Sequence, residues 1–452
     1  MRNRVVLVVL VLLVASACQW THYRGGPTLA GVQTGELTID PANVSTLVEQ
    51  WRSPAGTALA APTVADSRVH VTEGTWPVAT GPGCSGTPTT CAPSWTLPVD
   101  YANPFASPTL AFGSSFVLPM PMSQTGFATF DAAGIEGCDT TATTCAPRWT
   151  TTTDPYTSAS AHPDAHLLRG TGSPTVAGST VFAADTTAAG PRLYAFDASG
   201  AAGCSGVPAV CEPLWATDER VFPLSVAVDG GNVYAIEDGP FEVDAALRVY
   251  DADGSAGCSG TPTICQPLWS GDFGVHADGA IGWTSPVVDG IVYAIIGSTI
   301  LAFASDGGPT CSGTPVVCQP LWTAGVPGSY GIDLRAPAVA DGLLLVPTHE
   351  GVIAFDATGS ASCGGVPKTC DPLHYYLTAS LATSATVANG VLYVGGDDGL
   401  FAFDLDATAC AGDFPLCEPI WHALEGQWAS SPTVVNGHVH VTAGSLVTFG
   451  LP

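Results

Sequence analysis

The residues with the most evident chemistry are the cysteines, fifteen in all. Fourteen of them form pairs with six residues between: Cys84/Cys91, Cys138/Cys145, Cys204/Cys211, Cys258/Cys265, Cys311/Cys318, Cys363/Cys370 and Cys410/Cys417. Two thiols so spaced can close a small loop as a disulfide where the compartment is oxidising. A zinc reading is weaker, because six intervening residues exceed the usual spacing of paired zinc ligands. A redox pair is not supported, since no C-x-x-C occurs.

The odd cysteine is Cys18, in Ala15-Ser16-Ala17-Cys18. Before it stand Arg2, Arg4 and the unbroken apolar run Val5 to Val14. That run is short for a spanning helix and has the form of an export signal. The small residues before the cysteine resemble a bacterial lipobox, with Ala where Leu is commoner. The resemblance implies a signal peptide over 1–17 and a mature chain that starts at a lipid-modified Cys18. The other reading is an ordinary signal peptide with Cys18 near or beyond the cut. Either way the body is exported, where disulfides persist. Polar, Gly-rich residues 18–36 read as a tether between anchor and domain.

Other side chains with chemistry are scattered. His162, Asp164 and His166 are suitable ligands for zinc or another transition metal, yet nothing places them on a helix, so a solvated loop or a partner contact fits as well. His276, Asp278 and Trp283 lie in a second long connection, Asp333 and Arg335 in a third, and Trp428 in a fourth. Each tryptophan suits a rim anchor or packing onto its own blade. Arg335 suits an anion or an ion pair.

These residues hang on a repeat of roughly fifty residues, whose period points to a repeat architecture. Each copy starts with Ser/Ala-Pro or a variant, near residues 61, 107, 173, 224, 285, 336, 384 and 431. Two short apolar strands follow, joined by a Gly-containing turn. A third strand ends in an aromatic and Asp, as at Asp131, Asp197, Asp251, Asp356 and Asp404. Then come the cysteine loop and a fourth strand with Trp95, Trp149, Trp215, Trp269, Trp322 or Trp421. The aspartates read as turn caps and the tryptophans as packing against the next unit. The cysteine bridges read as local staples of their loops, not links between blades.

The last copy, ending GSLVTFGLP, lacks a fourth strand, and the orphan strand Leu47 to Arg52 supplies it. The reading is an all-β, eight-bladed β-propeller over 37–452, with four-stranded antiparallel blades. Its ring is closed by the N-terminal strand joining the C-terminal blade, which removes free sheet edges.

The unit SPTVxxGxVYxxxxxGxLYAFDAxG followed by a Trp strand resembles the PQQ-type repeat of the quinoprotein alcohol dehydrogenase-like propellers. That family includes an outer-membrane assembly lipoprotein. For its catalytic members the resemblance implies a quinone between a tryptophan platform and a vicinal Cys-Cys disulfide, a calcium ion held by acidic and amide side chains, and an Asp base. This chain has no adjacent cysteines and no C-x-x-C-H, and the base and calcium ligands map onto no position in it.

Composition narrows the partners. Acids outnumber bases 39 to 12 and the formal charge is −27, so nucleic acid and anionic headgroups are repelled. Topology puts the turns between strands one and two on one face with the cysteine loops, and the long, varied connections on the other. Binding chemistry concentrates on such loops. The expected function is therefore a noncatalytic envelope lipoprotein that binds a protein or glycan ligand on its cysteine-free face, held to the membrane by lipid at Cys18. That reading requires no cofactor. The alternatives are a PQQ-dependent oxidoreductase of an alcohol or sugar, with PQQ and calcium, and a propeller that binds or cleaves glycans.

Overall fold

The computed structural model describes residues 19–56, 59–72, 74–78, 83–97, 107, 109–111, 115–119, 126–139, 144–151, 173–187, 190–218, 225–237, 246–273, 285–327, 335–378, 380–406, 410–411 and 415–452. Eight sheets follow one another around an axis. Blade 1 shows the pattern, with strands Thr63–Ala65, Arg68–Val71, Gly74–Pro77 and Trp95–Thr96 running outward. Blade 8 has only three C-terminal strands, ending with Leu446–Gly450. Val48–Arg52 pairs antiparallel with that last strand, Val48 opposite Gly450 and Arg52 opposite Val447. The ring therefore closes through the two ends of the chain, as the incomplete last repeat requires.

The core is not one mass. Eight hydrophobic clusters each draw on two successive blades, as where Phe303 and Val292 of blade 5 meet Leu247 and Trp269 of blade 4. The Ser-Pro-Thr motif latches the innermost strands. Its threonine hydroxyl donates to the next blade's proline-position carbonyl: Thr109 to Pro174 O at 2.6 Å, Thr175 to Val226 O at 2.6 Å, Thr386 to Pro432 O at 2.8 Å and Thr433 to Pro62 O at 2.6 Å.

All seven cysteine pairs are disulfides. Their expected role as purely local staples needs correction. The second arm of each hairpin pairs in parallel with the fourth strand of the preceding blade, as Ile264–Cys265 does with Ala216 and Thr217. The same pairing recurs at Val317–Cys318 on Ser270 and Gly271, and at Leu416–Cys417 on Tyr375 and Tyr376. The bond is local, but the hairpin it closes bridges two blades. The fourth strand has an unpaired outer edge, and the hairpin satisfies it.

The two cysteines of a pair also differ in place, which the reading of all fourteen as loop residues does not anticipate. The first of each pair, from Cys84 to Cys410, is half-buried in its loop. The second is a core residue: Cys91, Cys145, Cys211, Cys265, Cys318, Cys370 and Cys417 are all buried. Each shares a cluster with an aromatic from the fourth strand that its hairpin covers. Cys91 joins Trp51, Cys145 joins Trp95, Cys211 joins Trp149 and Cys370 joins Trp322. Cys265, Cys318 and Cys417 do the same with Trp215, Trp269 and Tyr376. The parallel pairing lays the second arm beside that strand, so its sulfur lands on apolar ground between blades, where a cysteine packs as a small hydrophobe.

The turn before the hairpins of blades 2, 3, 4 and 6 explains the Asp, the Gly and the Trp together. Asp251 Oδ2 accepts the backbone N–H of Ser255 and Ala256 at 2.8 and 2.7 Å, and Asp197 does the same for Ala201 and Ala202. Burial alone would raise these carboxyl pKa values, but the Ser255 and Ser199 hydroxyls together with the backbone N–H groups outweigh it and hold both below the ordinary range. Gly254 follows at φ +68°, and a Cβ there would stand 2.3 Å from the ring of Trp215 in the preceding blade. Only glycine allows that turn to close over the indole.

His70 and His440 are buried, each with Nδ1 2.8 Å from a threonine hydroxyl, of Thr75 and Thr448. Burial is the main cause that lowers His70 to about 3 and takes His440 well below its ordinary value. His22, also buried, is lowered by burial to about 4. Folding therefore opposes protonation, so stability is full above the unfolded pKa of about 6.5 and falls as pH drops toward those lower values. Between pH 6.5 and 5, His22 and His70 should each cost about 2 kcal/mol. Urea unfolding at pH 7, 6 and 5 measures this, and His70→Gln should flatten the curve.

Candidate functional site

A propeller offers chemistry on the inner wall around its axis, on the two loop faces and along its outer rim. Sequence reasoning missed what lies on the inner wall. Residues 18–36 were expected as a tether, yet 19–36 pack against the first strands of the blades. Trp20, fully buried, exchanges two 2.8 Å backbone hydrogen bonds with Val64 of blade 1. His22 Nε2 lies 2.8 Å from Val176 O of blade 3. The chain then turns and sweeps four blades in order. Pro27 O accepts from Val228 N, Thr28 O from Val287 N, Ala30 O from Val339 N and Gly31 O from Val387 N, all at 2.8 to 2.9 Å. Val32–Gln33 pairs in parallel with Val387 and Ala388. Glu36, 2% exposed, takes the N–H of Gly437 in blade 8 at 2.8 Å and those of Thr38 and Ile39.

The physical reason is unpaired backbone. The inner edge of each first strand would otherwise present bare N–H groups in a narrow space, which is costly. The sequence did hold a signal. Blades 4, 5 and 6 carry Ala227, Val287 and Ala338 at the motif position where other copies have threonine. Leu29 packs in one cluster with Ala227 and Val287, and Val32 packs against the cluster that holds Ala338.

Arg24 is the unusual group of this wall. Its guanidinium is 1% exposed and Nη2 donates to Pro337 O at 2.8 Å. Nε and Nη1 are buried with no hydrogen-bond partner among the described residues. Burial lowers its pKa to about 10, so it stays charged at neutral pH. Gly31, at φ +70°, lies against it, and a Cβ there would come 2.0 Å from Nη2.

On the cysteine-free face, Arg335 is partly buried just before the first strand of blade 6, and Trp428 is partly buried just before blade 8. His162, Asp164, His166, His276, Asp278, Trp283 and Asp333 lie outside the described residues, as does Cys18. Among the described residues, no three His, Cys, Asp or Glu side chains converge to hold a metal ion. Also among them, no helix is long and apolar enough to cross a membrane.

No protein-family model matches the chain, and no curated protein matches it. Solved structures do. BamB from Moraxella catarrhalis aligns over 89% of this chain and 97% of its own, with TM-score 0.50 and 13% identity. Sqt1 from Saccharomyces cerevisiae aligns over 91% of this chain and 97% of its own, with TM-score 0.52 and 11% identity. Sqt1 from Chaetomium thermophilum aligns over 91% and 98%, with TM-score 0.52 and 12% identity. At such identities the likeness is one of fold.

Proposed function

We propose that this protein is a noncatalytic binding scaffold of the bacterial envelope, a lipoprotein form of the PQQ-type propeller that recognises a protein or glycan ligand through its cysteine-free loop face. The observation that carries this is the occupied inner wall. Trp20, His22, Arg24 and Leu29 of the chain itself fill the ground that lies nearest the axis, which leaves the loop faces for recognition. Arg335 and Trp428 supply a cation and an aromatic surface on that face. On this reading the lipid at Cys18 stands two residues from Trp20, a reach of at most about 7 Å. The ring would then sit close against the membrane rather than swing on a leash.

The test is titration of the disulfide-intact mature protein with PQQ, with and without calcium, followed by tryptophan fluorescence and thermal shift. The expected result is no saturable binding in either condition. One-to-one binding that raises the melting temperature would overturn the scaffold reading in favour of a quinoprotein oxidoreductase. Mass spectrometry of the membrane-extracted protein, beside a Cys18→Ser variant, checks the anchor.

A further inference from the structure

Among the described residues, seven hairpins serve eight blades. There the sheet of blade 7 ends at its fourth strand, Trp421–Ala423, with no hairpin on its outer edge. Blade 8 takes its third strand Leu446–Gly450 and its fourth strand Val48–Arg52 from separate stretches of the chain, so the two are not joined by a cysteine loop as in the other blades.

We infer that the outer edge of Trp421–Ala423 is a strand-addition site for a partner protein, which docks an extended, basic segment there in parallel. The other blades show what such an edge accepts. The residue after the Trp position donates its backbone N–H outward to the hairpin: Arg52 to Thr89 O at 3.0 Å, Ala216 to Thr263 O at 3.1 Å, Ser270 to Val316 O at 3.0 Å, Thr323 to Lys368 O at 2.9 Å and Tyr375 to Pro415 O at 3.0 Å. His422 holds that position in blade 7, and among the described residues its N–H makes no such outward bond. Unpaired edges of this kind recruit strands through backbone hydrogen bonds, with side chains setting specificity.

Charge selects the occupant. The Glu425 carboxylate, 80% exposed, lies 3.8 Å from His422 Nδ1, while the backbone O of Asp398 lies 2.8 Å from Nε2 and the Asp398 carboxylate accepts the Gly426 N–H at 2.7 Å. Asp397 and Glu418 are also exposed. In blade 3 the residue just past the hairpin's second cysteine, Gln266, reaches Asp218 beyond the fourth strand at 3.4 Å. In blade 7 the residue that matches Asp218 is Leu424, with the exposed Glu425 next to it, so a lysine or arginine in a partner suits this edge of a chain with formal charge −27. A second copy of this chain is a poor occupant, since it is acidic and its hairpins already serve its own blades.

The inference deepens the scaffold reading with a surface on the outer rim, apart from the loop face. The probe is a synthetic, disulfide-closed peptide of residues 256–267 carrying Gln266→Lys, followed by fluorescence anisotropy with the intact mature protein. The expected result is saturable binding that slows amide exchange at His422. His422→Pro removes the donor and should weaken binding about tenfold, the worth of one backbone hydrogen bond, while His422→Thr should keep it. Proline is tolerated on an edge strand when its missing N–H faces outward. Absence of saturable binding, or equal binding by His422→Pro, would overturn the inference. If His422→Pro misfolds, exchange protection mapping elsewhere in the unmutated protein would do so instead. Self-association abolished by His422→Pro would overturn the partner in favour of a second copy. A negative result removes only the rim site, because PQQ titration reads the scaffold proposal independently.

Discussion

Deletion of residues 19–36 should cost the ring its cooperative stability. The segment satisfies the first-strand N–H groups of Val64, Val228, Val287, Val339 and Val387 and buries Trp20 and Leu29 completely or nearly so. Five hydrogen bonds at about 1 kcal/mol and two large side chains at about 2 to 3 kcal/mol give on the order of 10 kcal/mol. That approaches the whole net stability of a typical folded domain. Water would recover part of the hydrogen-bond term at the bared strand edges, so the loss of Trp20 and Leu29 should dominate. The check is thermal unfolding of the truncated and full mature chains. A synthetic peptide of residues 19–36 added in trans should restore part of the transition, in proportion to its concentration. A truncated protein that melts like the full chain would show the segment to be a passive passenger.

The blades themselves were legible because two signals agreed in phase. The cysteine tag marks the third-to-fourth strand loop, and the Ser-Pro-Thr start marks the first strand. A copy lacking its fourth strand then demanded Val48–Arg52 from the other end of the chain. Segment 19–36 was illegible because its contacts carry no period. Pro27, Thr28, Ala30 and Gly31 act through carbonyl oxygens, which sequence cannot distinguish from those of a solvated tether. What could have betrayed the contact was a defect in another pattern, the missing threonines at Ala227, Val287 and Ala338. The hairpin bridges were hidden for a similar reason. Their strands are two or three residues long, and a parallel pairing such as Ile264 opposite Ala216 leaves no trace in the order of apolar residues. The spacing of Cys211 or Cys370 from its partner likewise shows a loop closed, not which sulfur faces the neighbouring tryptophan.

Breaking one disulfide should loosen the neighbouring blade as well as its own. Cys258→Ser with Cys265→Ser frees a loop with six residues between the cysteines, for which chain entropy predicts a loss of about 2 to 3 kcal/mol. A local staple would confine the consequence to residues 258–265. In this fold the freed hairpin also supports the outer edge of blade 3, where Ala216 N donates to Thr263 O at 3.1 Å. Hydrogen exchange should therefore accelerate at Ala216 and Thr217, some forty residues away in sequence, and hardly at all in blades on the far side of the ring. Repeat arrays distribute stability through such nearest-neighbour terms. Reducing all seven bonds together should thus weaken seven of the eight blade junctions and spare only the one between blades 7 and 8, which has no hairpin among the described residues. The reduced ring should then open from its hairpin-bearing junctions, with exchange at Trp421–Ala423 changing least among the fourth strands. Exchange that rises only within the cysteine loops would instead return the disulfides to a local role and leave blade cohesion to the eight apolar clusters alone.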